Sequence, residues 1–437
     1  LEQENVKTLP AELFSKIDTL SAPRLVEYWE MDPCLSPYYY DDEMDSAAPS
    51  AEEGGMGGGD GGVTVEAEFA VGEYDIVILS TNDSTALEGW LTDNQYSIPD
   101  GAAPYLDPYV QSGMYFFVAR VNSEEVTIND GNAVLSPLRF YYDSEEFSLP
   151  VRLGLINSQG DQDLIVYTLG LGQRYEVANR TNVTIPTNIA VVDEVRNDFG
   201  NFYRTLFDET IALNPGAAVT EYSWDASTCD PCPGPTLNGE DMATLGADVM
   251  DVEPWANWVL TRMHLRYSSD TLGDDLVFSE AGPIVGGRER YNNDEIEVGS
   301  TPSSYNNFQG RYIIRHPWTE PVTCEDPVYG RWGGPNGEDF PGAPQGATSP
   351  NTSGDSAASE GSGGGETSLP SDDISDLVAQ DIPEINVEAS GRFTGEGSDT
   401  SPDASDGCGC QSTDPVSLAL FGLFGFWVMV RRRIRGA

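Results

Sequence analysis

Residues 63–79 read VTVEAEFAVGEYDIVIL, and this stretch decides the fold class. Apolar side chains stand at every second position from Val63 to Val71, which is the alternation of a strand with one buried face. Gly72 then permits a turn, and the apolar run from Tyr74 to Leu79 indicates a second strand. The stretch therefore predicts a β-hairpin, a unit of antiparallel sheet.

Further strand patterns come after the hairpin, and helical patterns are inserted between them. The predicted strands span residues 114–121, 135–142, 149–155, 163–169, 175–178, 219–224, 258–267, 276–279 and 312–315. The predicted helices span residues 9–20, 23–29, 83–91, 105–111 and 199–213. Because the strands mostly neighbour one another along the chain, we predict an α+β fold with a largely antiparallel β-sheet core and inserted helices.

Composition separates this body from the C-terminal third of the chain. Between Pro341 and Gly407 there are thirteen Asp or Glu residues and a single basic residue, Arg392. Such a segment has too little apolar surface to fold, although residues 374–387 are mildly apolar. The predicted segments are an N-terminal helical segment at 1–45, a Gly-rich acidic loop at 46–62, an α+β body at 63–335, a disordered acidic stalk at 336–407 and a C-terminal sorting or transmembrane segment at 408–437.

The charge of the chain excludes one class of partner. The formal net charge is −50 and the isoelectric point is about 4.1. Phosphates would be repelled, so we expect no nucleic-acid binding. Strong acidity suits a soluble exported protein instead.

Six cysteines divide into four in the body and two in the tail. An even number in an exported chain suggests disulfides, and four body cysteines allow three connectivities. Cys229 and Cys232 could close locally, which would leave Cys34 to pair with Cys324. A zinc site and a redox CxxC motif are the alternatives. Four-cysteine zinc sites usually have two CxxC pairs, and a redox CxxC usually begins a helix.

The C-terminal tail indicates a destination. Gly407-Cys408-Gly409-Cys410 precedes an apolar run at 416–430, and the run ends in Arg431, Arg432, Arg433 and Arg435. Arginines resist translocation, so the rest of the chain is expected outside the inner membrane. The tail resembles the MYXO-CTERM sorting signals of bacteria, which implies that a membrane protease removes the helix near Gly407 or Cys408. The alternative is a permanent anchor, although fifteen helical residues rise about 22 Å across a hydrocarbon core of about 30 Å.

The body also resembles a known family. The motifs that carry the resemblance are WLTDN at 90–94, LPVRLG at 149–154, QDLIVY at 162–167 and RYIIRHPW at 311–318. Together they are similar to the DUF2330 family of exported bacterial proteins over about residues 1–335. The resemblance implies no established activity. It also implies that a signal peptide and a pair of strands would precede a segment like the one beginning at Glu4, so the chain is interpreted as an N-terminally truncated member.

No catalytic motif stands out. His264 and His316 are the only histidines, and neither lies in an HExxH or GxSxG context. Both are predicted to be structural. The string GxGxxG at residues 57–62 runs into a strand, which does not suit phosphate binding. Acidic pairs such as Asp161 with Asp163, and Asp274 with Asp275, arise readily in so acidic a chain. We therefore predict no catalytic, cofactor or metal site.

These observations favour an exported, envelope-associated, non-enzymatic structural or adhesive binding module displayed at the cell surface. Its expected partners are the membrane, through the C-terminal helix, and a sorting protease, while the sequence does not indicate its surface ligand. One alternative is an envelope hydrolase that uses carboxylates. Another is a calcium-dependent module built on the turn that contains Asp161 and Asp163, although that turn lacks the ligand spacing of an EF-hand.

Overall fold

The computed structural model describes most of the body and two short segments after it. The described residues are 2–34, 64–99, 101–122, 124–129, 132–158, 160–230, 232–250, 252–292, 295–333, 373–391 and 426–431. The predicted acidic loop at 46–62 lies outside them. So do residues 336–372 and 392–407 of the predicted stalk, and residues 408–425 and 432–437 of the predicted sorting segment.

The first part of the chain alternates short strands with three helices. In order, these elements are β1 Val6–Thr8, α1 Ala11–Ser21, β2 Arg24–Glu30, β3 Thr64–Val71, β4 Tyr74–Ser80, α2 Ser84–Asp93, α3 Ala103–Gln111, β5 Phe116–Val121, β6 Thr127–Asn129, β7 Asn132–Val134, β8 Leu138–Asp143 and β9 Ser148–Leu149. Short 3-10 turns cover Gln3–Asn5 and Arg152–Asn157.

The second part contains the long strands. In order, its elements are β10 Gln162–Leu171, β11 Arg174–Val177, β12 Asn182–Thr184, β13 Ile189–Ala190, α4 Phe199–Leu213, β14 Ala218–Asp225, α5 Gly239–Leu245, β15 Trp258–Tyr267, β16 Leu276–Ala281, β17 Ile284–Gly286, β18 Tyr291–Asn292, β19 Glu295–Ile296, β20 Thr301–Pro302, β21 Asn307–Gln309, β22 Arg311–His316, β23 Trp332–Gly333, α6 Ile374–Leu377 and β24 Phe426–Arg431. Further 3-10 turns cover Asp193–Asn197, Ala247–Val249 and Pro383–Ile385.

The predicted hairpin is confirmed. β3 and β4 pair in antiparallel register from Val71 opposite Tyr74, and Gly72 makes the turn with a φ of +54°. β5 joins the other edge of β4, and α2 and α3 cover this three-stranded sheet. Asp83 caps α2 by accepting from two backbone amides. One predicted strand differs, because the segment predicted at 149–155 contains only the end of the two-residue strand Ser148–Leu149 and most of the 3-10 turn Arg152–Asn157.

The main sheet runs in the order β10-β15-β14-β21-β17-β20, with β12 beside β14. β10 and β15 pair along their whole length, from Gln162 opposite Tyr267 to Leu171 opposite Trp258. β14 has a bulge at Glu221, since the register passes directly from Thr220 to Tyr222. The sheets are mostly antiparallel, which confirms the α+β class, and β12–β14, β2–β22, β13–β22 and β17–β21 are parallel pairs.

The predicted helix at residues 23–29 is wrong. This segment is β2, which lies between β22 and β23 and pairs in parallel with β22 from Arg24 opposite Arg311 to Trp29 opposite His316. α1 before it confirms the first helix. β2 is a strand because its partner supplies backbone bonds and because Tyr28 and Trp29 on opposite faces are both buried. That partner lies nearly 290 residues away, beyond the reach of local sequence patterns.

For residues 373–391 the prediction of a disordered stalk is wrong. We call this segment the clasp. Five of its aliphatic side chains are buried in one core cluster with α4, β13 and β22, and they are Ile374, Leu377, Val378, Ile382 and Ile385. Asp373 caps α6 by accepting from the Ser375 amide. The clasp is ordered because its apolar residues are buried against α4, β13 and β22. The polar composition of the surrounding segment masks these few apolar residues in the sequence.

The tail is described only in part. β24 (Phe426–Arg431) pairs in parallel with β8, and the remainder of the predicted C-terminal helix falls on residues outside the described ranges. Within the described ranges, no helix has the length and apolarity that a membrane span requires. The short transmembrane helix therefore stays a prediction.

Candidate functional site

Two disulfides join the four body cysteines. Cys34 bonds Cys324 with a Cα–Cα distance of 5.5 Å, and Cys229 bonds Cys232 with a Cα–Cα distance of 4.9 Å. These are the pairs that the sequence favoured. The first bond fixes the end of β2 to the segment after β22. Since all four sulfurs are oxidised, none is a thiolate that could bind zinc.

A group of charged side chains, which we call the central charge network, surrounds the β14 bulge and runs from the buried Glu221 to the exposed Asp163. Its members are Asp18, Asp163, Tyr203, Glu221, Arg262, His264 and Arg266. Glu221 is completely buried and accepts from Arg262 Nε at 2.6 Å, from His264 Nδ1 at 2.9 Å and from the Tyr203 hydroxyl. Burial alone would raise the pKa of Glu221, but Arg262 and His264 outweigh burial and lower it to about 2.

His264 is held between two carboxylates. Its Nδ1 lies 2.9 Å from Glu221 Oε1, and its Nε2 lies 3.2 Å from Asp163 Oδ1. The ring stacks on Phe207 with 3.7 Å between centroids. Burial lowers the pKa of His264, yet the two carboxylates more than compensate and raise it. Because both ring nitrogens face carboxylates, the protonated form is favoured and the ring is poorly placed to act as a general base.

Arg262 extends the network to α1. Its Nη1 donates to Asp18, and it also donates to the Tyr167 hydroxyl at 3.0 Å. Arg266 binds Asp163 through Nε at 2.8 Å. The pKa of Asp163 is lowered to about 2, because His264 and Arg266 outweigh the effect of burial. The network therefore joins α1, α4 and three strands of the main sheet.

His316 lies in a second charged group, at the end of β22. Its Nε2 is 2.6 Å from Glu27 Oε2, and its ring stacks on Trp29 at 4.8 Å. Arg196 donates to both Glu27 oxygens, at 2.8 and 2.7 Å. Burial raises the pKa of Glu27, but His316 and Arg196 lower it to about 2. Both histidines thus lie within hydrogen-bonding distance of carboxylates and join elements of the fold.

The acidic pairs of the sequence do not converge. Asp161 and Asp163 are both exposed, and Asp163 pairs with His264 and Arg266 in the central charge network. Asp275 accepts from the Tyr109 hydroxyl and from the amides of Val151 and Arg152, which fixes a turn. Among the described residues, no three His, Cys, Asp or Glu side chains are grouped so that they could hold a metal ion.

A cavity of about 460 Å³ lies between the strands and the clasp. We call it the clasp pocket. It is lined by Arg174, Glu176, Asn182, Val183, Thr184, Pro186, Thr210, Asn214, Thr220, Ile284, Ser300, Glu384 and Ile385. Its size falls in the usual range of small-molecule sites. The last two residues come from the clasp, so this segment forms one wall.

The lining is mostly hydroxyls, amides and carboxylates. Arg174 donates to Glu176 at 3.2 Å and to the Gly282 carbonyl at 2.6 Å, so its charge is already satisfied. Glu384 is exposed at the clasp wall. Thr184 and Ser300 share a hydrogen bond of 2.9 Å. Such a surface can bind polar groups by hydrogen bonding, and the partly buried Val183 adds an apolar contact.

The sequence patterns predicted neither the central charge network nor the clasp pocket. Glu221 and Arg262 occupy strand positions with no distinguishing motif, and the pocket residues come from segments that are far apart along the chain. The mildly apolar stretch at 374–387 was the single signal in the sequence for the clasp. The sorting residues Gly407, Cys408, Cys410, Arg432 and Arg433 lie outside the described residues, and Arg431 is the last residue of β24.

Comparison with known proteins identifies one family. The model of a family described as "Uncharacterized protein conserved in bacteria (DUF2330)" matches residues 2–279. No curated protein and no solved structure matches the chain. The match includes the hairpin, β10, α4, β14 and β15, whereas the clasp lies beyond it. Since the match covers more than half of the chain, the protein belongs to the DUF2330 family.

Proposed function

We propose that the protein is an exported, envelope-associated binding module without enzymatic activity, displayed at the cell surface. The observation that carries the binding role is the clasp pocket, which is large enough for a small ligand and rich in hydrogen-bonding groups. His264 is held between the carboxylates of Glu221 and Asp163, which supports a role other than acid–base catalysis. The two disulfides support folding in an oxidising compartment.

The proposed localisation at the cell surface rests on the C-terminal tail. A sorting protease would cut near Gly407 or Cys408, and the apolar run at 416–430 would be the segment that it recognises in the membrane. Residues 392–407 then separate the clasp from the cleavage point. Attachment at Cys408 would leave sixteen residues, 392–407, between the clasp and the anchored end of the chain.

Intact mass spectrometry of the protein from purified envelope fractions tests the proposed cleavage and localisation. A C-terminus near Gly407 or Cys408 would support sorting, and extra mass at that end would reveal a lipid. A mass that includes Arg435 would overturn cleavage and support a retained membrane anchor instead. The same spectrum with and without a thiol-alkylating reagent counts the oxidised cysteines.

A second candidate function is hydrolysis by carboxylates, because Glu176 and Glu384 line the same pocket. Paired acids across a bound sugar are the machinery of glycosidases. Incubation with envelope polysaccharide distinguishes the two functions. Release of reducing ends that disappears in Glu176→Gln would establish hydrolysis, whereas binding without release would establish the binding module.

A further inference from the structure

We propose that the clasp pocket is an amino-sugar site that the clasp completes, so that ligand binding and clasp docking stabilise each other. This inference rests on the binding function proposed above and names the ligand class. Its starting point is the position of Glu384, the clasp residue whose carboxylate is available at the pocket wall.

The charges of the pocket favour an amine. Three ionisable side chains line it, and Arg174 is neutralised by Glu176 at 3.2 Å and held by the Gly282 carbonyl. Glu384 leaves one net negative charge on the lining. A protonated amine placed there would form a charge-assisted hydrogen bond, which is stronger than a neutral one. The net charge of −50 on the whole chain also favours the approach of a cation.

The remaining lining suits a sugar. Thr184 and Ser300 present hydroxyl groups, which match the donors and acceptors of sugar hydroxyls. The Asn182 amide is instead bonded to the backbone of Val177 and Arg180. Val183, which is only partly buried, supplies the apolar contact for the C–H face of a pyranose ring, while the lining residues Ile284 and Ile385 are buried. The volume of about 460 Å³ leaves room for more than one sugar ring.

The clasp is required because it contributes two wall residues of different chemistry, Glu384 and Ile385. Glu384 lies close to the turn before β20, since a Cβ added at Gly299 would be 3.3 Å from Glu384 Oε1. Backbone bonds hold the clasp against the body, including Ala379 N to the Ala190 carbonyl at 2.8 Å and Val192 N to the Leu377 carbonyl at 3.2 Å. A ligand that touches both the strands and the clasp therefore binds the docked state better than the undocked state.

The binding test uses the glucosamine disaccharide and its N,N′-diacetylated form as a matched pair. Calorimetry with the disulfide-bonded protein should give tighter binding of the amine by about tenfold or more, the effect of one charge-assisted bond. Glu384→Gln should abolish that difference. Glu388→Gln removes the same charge from an exposed clasp position outside the pocket and should leave the difference intact. Equal affinity for the two sugars, absence of binding, or equal effects of the two variants would overturn the inference.

The coupling test is hydrogen exchange at the amides of Ala379 and Val192. If the undocked state does not bind, ligand at ten times its Kd should slow clasp opening by about tenfold. The amide of Leu169 in β10 serves as an internal reference that should not respond. Unchanged exchange at the clasp in the presence of bound sugar would refute the coupling. The binding and exchange experiments test only the sugar site. The mass of the protein from envelope fractions tests export, so a negative result for sugar binding does not decide whether the protein is exported.

Discussion

Val378 of the clasp lies opposite Val191, just after β13, as a non-hydrogen-bonded antiparallel pair. The flanking bonds show this, because Ala379 N donates to the Ala190 carbonyl and Val192 N donates to the Leu377 carbonyl. In such a pair the two Cα atoms are about 4.5 Å apart and the side chains approach closely. The clasp, which the composition of the chain predicted to be part of a disordered stalk, therefore pairs with the body in the manner of a β-strand.

This register predicts that Val191→Cys with Val378→Cys forms a disulfide, because the separation suits disulfide geometry. Closing the intervening loop should stabilise the oxidised variant by about 2–4 kcal/mol relative to its reduced form. The melting temperature of the same sample before and after mild reduction measures the effect and cancels the loss of the two valines. The same pair of measurements on the parent protein is subtracted, because reduction also breaks the two native disulfides. A pair that stays reduced under oxidising conditions would contradict the register.

A single substitution at Glu221 should greatly lower the free energy of unfolding. Glu221→Gln leaves Arg262 and the protonated His264 without their buried counter-charge, which typically costs about 3–5 kcal/mol. Urea unfolding followed by circular dichroism measures the loss. Glu209→Gln is the matched control on the exposed face of α4 and should change stability by less than about 0.5 kcal/mol. Similar losses in both variants would refute the role of the network.

The central charge network also predicts the pH dependence of unfolding. The pKa of His264 is raised, so its contribution is complete below the unfolded value of about 6.5 and is lost as pH rises through the folded value. The pKa values of Glu221 and Asp163 are lowered to about 2, so their contributions are complete above about pH 5 and are lost towards pH 2.

The free energy of unfolding, measured with urea at pH values from about 3 to 9, should therefore be largest between about pH 5 and 6.5. In His264→Gln the part of the loss of unfolding free energy at alkaline pH that His264 causes should disappear. The loss of unfolding free energy at acid pH should remain. An alkaline decline of the same size in wild type and variant would show that His264 is not the group responsible.

The two disulfides should differ in their contribution to stability. In the chain-entropy account, the Cys34–Cys324 bond with its separation of 290 residues is worth about 5–6 kcal/mol, and the short Cys229–Cys232 bond about 2 kcal/mol. Replacing Cys34 and Cys324 together with Ser should also expose β2 to proteolysis, since that bond fixes its end. The Cys229 and Cys232 double Ser variant is the comparison. Equal protease resistance at β2 in the two variants would contradict this assignment.

Local sequence determined the elements whose partners lie nearby. The alternation of residues 63–79 and the turn at Gly72 were sufficient for the β3–β4 hairpin, because both strands of a hairpin are encoded in one short window. The amphipathic spacing of α4 and the CxxC at Cys229 were equally local. Membership of DUF2330 and the α+β class depend on many such segments in order.

The tertiary structure alone decided β2, the clasp, the central charge network and the pocket. Pairing of β2 with β22 joins segments nearly 290 residues apart, and β2 has no stable local alternative once Tyr28 and Trp29 are buried. The clasp is ordered by a groove that its own sequence does not encode. Glu221, Arg262 and His264 become a site only where a bulge in β14 turns one carboxylate towards two neighbouring strand positions. Burial, long-range pairing and charge compensation depend on the surroundings of a residue, and those surroundings exist only in the folded chain.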